Sequence, residues 1–178
     1  MTKRANFYGF TFDPVLQLES PVRIINACRF RSDDITLSQE LKIPHWVLDC
    51  PLSYCGRTRI SGTGRWLRRD TGCAHLYAPG TGWIEDNRDA GMHESCYIIF
   101  DGGEILGLER LTGKSSFAPI YDPGTELGKR ISSIAACGVR RGNNGILAAV
   151  GELYGLCDYL SEHAEAEPDG SWRLFPRP

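Results

Sequence analysis

The hydrophobic pattern of the chain changes at residue 122. Between residues 45 and 101, short apolar stretches alternate with polar positions. They are cut by turn residues at Pro51, Gly56, Gly62-Thr63-Gly64, Asp70-Thr71-Gly72, Pro79-Gly80 and residues 87–91. That rhythm predicts strands at 45–50, 52–54, 58–61, 64–69, 74–77, 83–86 and 94–100, as in a sandwich or barrel. Ser95-Cys96-Tyr97-Ile98-Ile99-Phe100 is nearly continuous in apolar character and reads as a central strand. A further strand is expected at 22–30, an extended segment at 116–121 and one short helix at 104–111. Residues 1–20 mix Phe7, Tyr8, Phe10 and Phe12 with Pro14 and polar residues, and read as an arm that docks onto something.

After residue 122 the period becomes helical. Asp122-Pro123 places a capping acid before a proline suited to a first helical turn. Leu127, Ile131 and Ile134 follow on one face, and Gly138 is the expected stop, with Arg140 and Arg141 near the negative end. Asn143 or Asn144 then caps a second helix. Its seam of Ile146, Val150, Leu153, Cys157 and Leu160 steps by four and three, the spacing of paired helices. Leu147 and Tyr154 form a second apolar line beside it. The tail at 165–178, with Pro168, Asp169, Gly170, Pro176 and Pro178, is linker-like. The expected organisation is an arm at 1–20, a barrel at 21–121, a helical unit at 122–165 and a tail at 166–178.

Length and composition narrow the class. A chain of 178 residues supports one sizeable domain with a real core. A net charge of −2 gives no electrostatic reason for direct nucleic-acid binding. Seven cysteines occur without a Cys-x-x-Cys pair, so neither a zinc knuckle nor a thioredoxin-type site is expected, and buried reduced thiols are. No signal-peptide pattern is present, and no apolar run reaches the ~18 residues of a membrane span. These readings predict a cytoplasmic protein with no membrane association.

Candidate chemistry is sparse. His45, His75, His93 and His163 are scattered and contain no His-x-His pair, so no metal is expected. There is no Gly-x-Ser-x-Gly elbow, and Glu85, Asp86 and Asp89 read as loop charges. Arg57, Arg59, Arg65, Arg68 and Arg69 form a basic run in which Arg57 and Arg59 share one strand face. Trp46, Trp66, Trp83 and Tyr97 each lie on a different predicted strand. Aromatic faces at a barrel mouth suit stacking on an organic ligand.

The segment 72–85 carries an apolar strand into a Pro-Gly turn and out into Trp83. With Trp46, the Gly62-Thr63-Gly64 turn, the 97–100 strand and the two-helix unit, it resembles the ligand-binding domain of AraC-type transcriptional regulators. The resemblance implies a mainly β fold with C-terminal helices: a cupin-like β-barrel (jelly roll) followed by a two-helix dimerisation unit. It also implies a small organic effector, a homodimer paired through Ile146, Val150, Leu153, Cys157 and Leu160, and DNA contact only through a further domain after residue 178. Ligand contacts in the sugar-binding member fall on Glu85, Ser95 and Tyr97. Trp46, Trp66 and Trp83 are the expected stacking residues, with Arg57 or Arg59 as a charged contact if that face points inward. Where the family motif carries His, this chain has Trp83. Tryptophan cannot ligate a metal, so the expectation is a sensor without a cofactor rather than an enzyme. A metal-dependent cupin enzyme and a stand-alone carbohydrate-binding module are the alternatives.

Overall fold

A computed structural model describes residues 5–17, 19–33, 36–166 and 172–174. Among these residues, twelve strands form two sheets. The long sheet contains β1 (Ala5–Thr11), β2 (Arg23–Ser32), β4 (Trp46–Pro51), β7 (Cys73–Tyr77), β9 (His93–Asp101), β10 (Phe117–Tyr121), β11 (Ala164–Ala166) and β12 (Trp172–Leu174). Its order is β1-β2-β9-β4-β7-β10-β12-β11, antiparallel throughout except for the β10–β12 pair. The short sheet contains β3 (Leu41–Lys42), β5 (Arg57–Ile60), β6 (Trp66–Arg68) and β8 (Gly82–Asp86), in the order β3-β8-β5-β6. The described residues also form three α-helices: a four-residue α1 (Glu109–Thr112), then α2 (Glu126–Arg141) and α3 (Ile146–His163). The result is a mainly β sandwich of two sheets followed by C-terminal helices. Among the described residues, no helix is long and apolar enough to cross a membrane.

Alternation along the long sheet explains its two faces. Successive strand residues point to opposite sides, so each central strand must satisfy two environments. Leu48, Cys50, Leu76, Cys96, Ile98, Phe100 and Ile120 face the helices and pack with Leu127, Ile131, Ile134, Leu153, Leu156 and Leu160. Val47, Tyr77 and Phe117 face the other way, where they meet Ile60 and Trp83 of the short sheet. All seven thiols are free, and all but Cys73 are buried.

Several expectations are corrected. The segment read as an arm contains a strand: β1 pairs with β2 from Ala5↔Ser32 to Thr11↔Asn26. Residues 52–54 bend instead of forming a strand, with both the Leu52 and Ser53 amides donating to Glu94 O. The tail contributes β11 and β12 to the long sheet. The helix expected from Pro123 begins at Glu126, because the Asp122 carboxylate accepts the Leu127 amide at 2.8 Å. It also runs past Gly138. A Cβ there would fall 2.6 to 2.9 Å from Phe10, so this glycine lets α2 lie close on β1. The predicted helix at 104–111 is a run of turns ending in α1.

The largest correction concerns the helical seam. Ile146, Leu153, Cys157 and Leu160 are buried within the chain itself, with Val150 packed beside them. The spacing reflects packing on α2 and the long sheet, and these residues are not free to form a dimer interface. The apolar line left outside is Leu147, 86% exposed, and Tyr154, 41% exposed. Leu153→Ala is therefore expected to lower the unfolding free energy by about 2–5 kcal/mol, the usual effect of emptying a buried leucine site. Urea denaturation measures it, and an unchanged midpoint would contradict this placement.

Candidate ligand site in the sandwich

The site is built from residues on the inward faces of both sheets. Asp49 is the one acid in the apolar strand β4, and its register places it opposite Tyr97 and His75. Arg69 follows β6. Its backbone is fixed by bonds from the Cys55 amide to its carbonyl and from its own amide to Gly56 O, at 2.8 and 2.9 Å. Gly56 has φ +83, and a Cβ there would fall 2.1 Å from Asp86 O, so glycine is required where this loop crosses β8. The crossing delivers the Arg69 guanidinium into the sandwich.

Arg69 is 2% exposed and bridges both sheets. Its Nε and Nη2 donate to Asp49 Oδ2 at 3.2 and 2.8 Å, and its Nη1 donates to Glu85 Oε2 at 3.0 Å. Asn87 Oδ1 and Cys55 O accept further bonds from Nη1 at 3.3 and 3.4 Å. The carboxylates are tied in turn: Ser95 Oγ donates to Asp49 Oδ1 at 2.7 Å, and Trp83 Nε1 donates to Glu85 Oε1 at 3.1 Å. Burial alone would lower the Arg69 pKa, but the facing Asp49 and Glu85 carboxylates outweigh it and hold the group more firmly protonated than usual. Burial, with Glu85 and Asp49 nearby, pushes Tyr77 well above its usual range, so it stays a neutral phenol. Burial likewise lifts Tyr97 to about 12.

Beside this cluster lies a cavity of about 400 Å³. Phe7, Phe30, Leu41, Ile43 and Ile99 give it apolar walls, and Tyr97, Tyr77 and Trp83 add aromatic ones. The Tyr77 and Trp83 rings stack at 4.3 Å, and Phe30 links Phe7 to Tyr97 at 6.0 and 6.2 Å. Of the three charged groups, Glu85 is the one most open to the cavity, with its side chain 21% exposed against 8% for Asp49. One cation faces two carboxylates, so the polar end presents acceptors and carries net negative charge.

The structure brings together Trp83, Glu85 and Tyr97, with Ser95 behind them on Asp49. It places the other predicted contacts elsewhere. Trp46 lies in the helix-side core, 2% exposed, where its Nε1 donates to Glu104 at 3.1 Å. Only a glycine fits at residue 103, because a Cβ there would sit 2.6 Å from the Trp46 indole. Arg57 reaches Asp86 at 3.1 Å and faces away from the cavity. Trp66 lies under Arg57 and Arg59 at 5.7 and 4.9 Å, so both arginines serve this outer cation–π stack. Sequence reasoning missed Asp49, Arg69, Asn87 and the β1–β2 aromatics. A lone acid inside an apolar strand was the available signal for Asp49.

Two histidines point inward but stay apart. His93 lines the cavity, with its Nδ1 3.0 Å from Gly91 O. His75 is fully buried beyond Tyr77, with Nε2 3.7 Å from Cys73 Sγ and Nδ1 without a partner. Among the described residues, no group of three or more His, Cys, Asp or Glu side chains is placed to hold a metal.

No protein-family model matches the chain, and no curated protein matches it. Solved structures do. A candidate mannose-6-phosphate isomerase from Ralstonia eutropha aligns over 55% of this chain and 85% of its own, at 8% identity and TM-score 0.41. A protein of unknown function with a cupin-like fold, from the same organism, aligns over 53% and 54%, at 14% identity and TM-score 0.39. The cupin domain of an XRE family transcriptional regulator from Enterobacter cloacae aligns over 56% and 96%, at 13% identity and TM-score 0.38. This chain thus spans about half the length of the second of these proteins. The likeness concerns architecture only.

Burial lowers the His75 pKa from 6.5 to about 4. The unfolded chain therefore binds a proton that the native chain does not, and stability falls as pH drops from about 6.5 to about 4, by about 3 kcal/mol for a shift of this size. Melting temperature recorded against pH checks this: His75→Phe is expected to flatten the slope in that window, and an unchanged slope would contradict it.

Proposed function

We propose that this chain is a sensor domain that binds a small organic molecule between its two sheets. One observation carries the reading: the Glu85 carboxylate, held by Arg69 and Trp83, faces a cavity of about 400 Å³ with aromatic walls. That volume is within the range of small-molecule sites, which run from ~300 to ~1,000 Å³. Arg69 already faces the Asp49 and Glu85 carboxylates, so it offers little to an anion. Glu85 accepts donors, and the aromatic walls take a flat or apolar body. The ligand class that fits is neutral or cationic, with hydroxyl or amine donors at one end.

Within that reading we place the chain as the effector-binding domain of an AraC-type transcriptional regulator. Trp83 departs from the family motif, which carries His there, and its place at the cavity favours a sensor over a metal enzyme. The dimer such a regulator needs would use the exposed Leu147 and Tyr154 line on α3 in place of the buried seam. DNA contact would belong to a further domain. A cupin enzyme using a metal and a stand-alone carbohydrate-binding module are outcomes the test separates.

A thermal-shift screen of polyols, sugars, aromatic amines and aromatic acids, read on wild type and on Glu85→Gln and Trp83→Phe, tests the proposal. The expected result is stabilisation by a hydroxyl- or amine-bearing compound that both variants weaken about tenfold, the loss of one charge-assisted bond or one aromatic contact. Hits confined to aromatic acids and indifferent to both variants would contradict the site. Stoichiometric protein-bound Fe, Mn or Zn would favour the enzyme, and a monomer by light scattering would favour the stand-alone module.

A further inference from the structure

We propose a second ligand site, at the end of the sandwich opposite the Glu85 cavity, for a small organic acid with an apolar or aromatic body. The short sheet ends at β6, and on the long sheet β10 lies between β7 and β12. Between β6 and β10 the two sheets part, leaving a groove of about 620 Å³. Leu67, Phe117, Pro119 and Tyr121 flank it, and their strand positions point them inward. Tyr77 divides this groove from the first cavity. It packs on Trp83 on one side, and on His75 and Phe117 on the other, at 6.3 and 5.2 Å.

Two polar features give the groove its preference. At its base lies His75, fully buried, with Nδ1 unpartnered. A buried ring nitrogen without a partner carries a standing desolvation cost that a ligand polar atom would relieve. At its open side lies Arg65, exposed, which forms no ion pair among the described residues. Arg68 beside it is committed to Asp70 at 2.7 Å. Burial keeps the His75 ring neutral at ordinary pH, so the free charge of the groove is the Arg65 cation. A carboxylate therefore belongs at Arg65 and an apolar body between Leu67 and Phe117, with a polar substituent towards His75. This preference is opposite in sign to that of the Glu85 cavity, so the two sites would select different molecules.

Calorimetric titration with naphthoate tests the proposal without reference to the first site. The expected result is saturable binding that Arg65→Glu weakens about tenfold, an exposed charge reversal that leaves folding intact. Trp83→Phe should leave naphthoate affinity unchanged. The His75 ring nitrogens, followed by ¹⁵N NMR in the wild-type protein, should shift on addition. No saturable binding would overturn the proposal. So would binding that ignores Arg65→Glu, or that disappears in Trp83→Phe, which would put naphthoate in the other cavity.

Discussion

The interior of this sandwich is organised by one buried cation. Arg69 reaches between the sheets and holds Asp49 of the long sheet and Glu85 of the short one in a single set of charge-assisted bonds. Taking such charges out of water is costly, and mutual attraction offsets that cost only when geometry is good and the remaining polar atoms are bonded. Both conditions are met: Ser95, Trp83, Asn87 and Cys55 O take up the remaining capacity. The cluster thus fixes how far apart the sheets stand at this level, and with it the width of the cavity.

The long sheet has to serve two interiors at once. Its helix-facing residues are apolar and close-packed with α2 and α3, as a core should be. Its other face carries Asp49, Ser95, His75, His93, Tyr77 and Tyr97, groups that make poor core but useful walls. The helices supply the burial that stabilises the sheet, which leaves the inner face free to carry polar and aromatic chemistry. Gly138, which lets α2 approach Phe10, belongs to the same arrangement.

Much of the fold was legible in the sequence, because the strands from 45 to 101 are short, alternating and bounded by glycine or proline. Trp83, Glu85 and Tyr97 were legible too, through the corner at 72–85. The misses have physical reasons. Spacing by four and three at Ile146 and Leu153 marks an apolar helix face, but it does not say whether that face meets another chain or its own sheet. The strand β1 was obscured because its aromatics, Phe7 and Tyr8, are adjacent instead of alternating with polar positions, and both remain exposed. Arg69 was hidden inside a run of five arginines, four of which face outward or end in solvent. Trp46 and Trp66 share residue type with Trp83, and only register decides which indole points inward.

The most direct test of this account is a double-mutant cycle on Arg69 and Asp49, measured by denaturant unfolding. Arg69→Met alone should cost about 3–5 kcal/mol, because it leaves buried carboxylates unpaired. Adding Asp49→Leu should then recover a large part of that loss, giving a coupling energy above about 1.5 kcal/mol between the two positions. Additive effects, or a single-variant loss below about 1 kcal/mol, would show that the sheets are not held by this pair and would remove the basis for the Glu85 site.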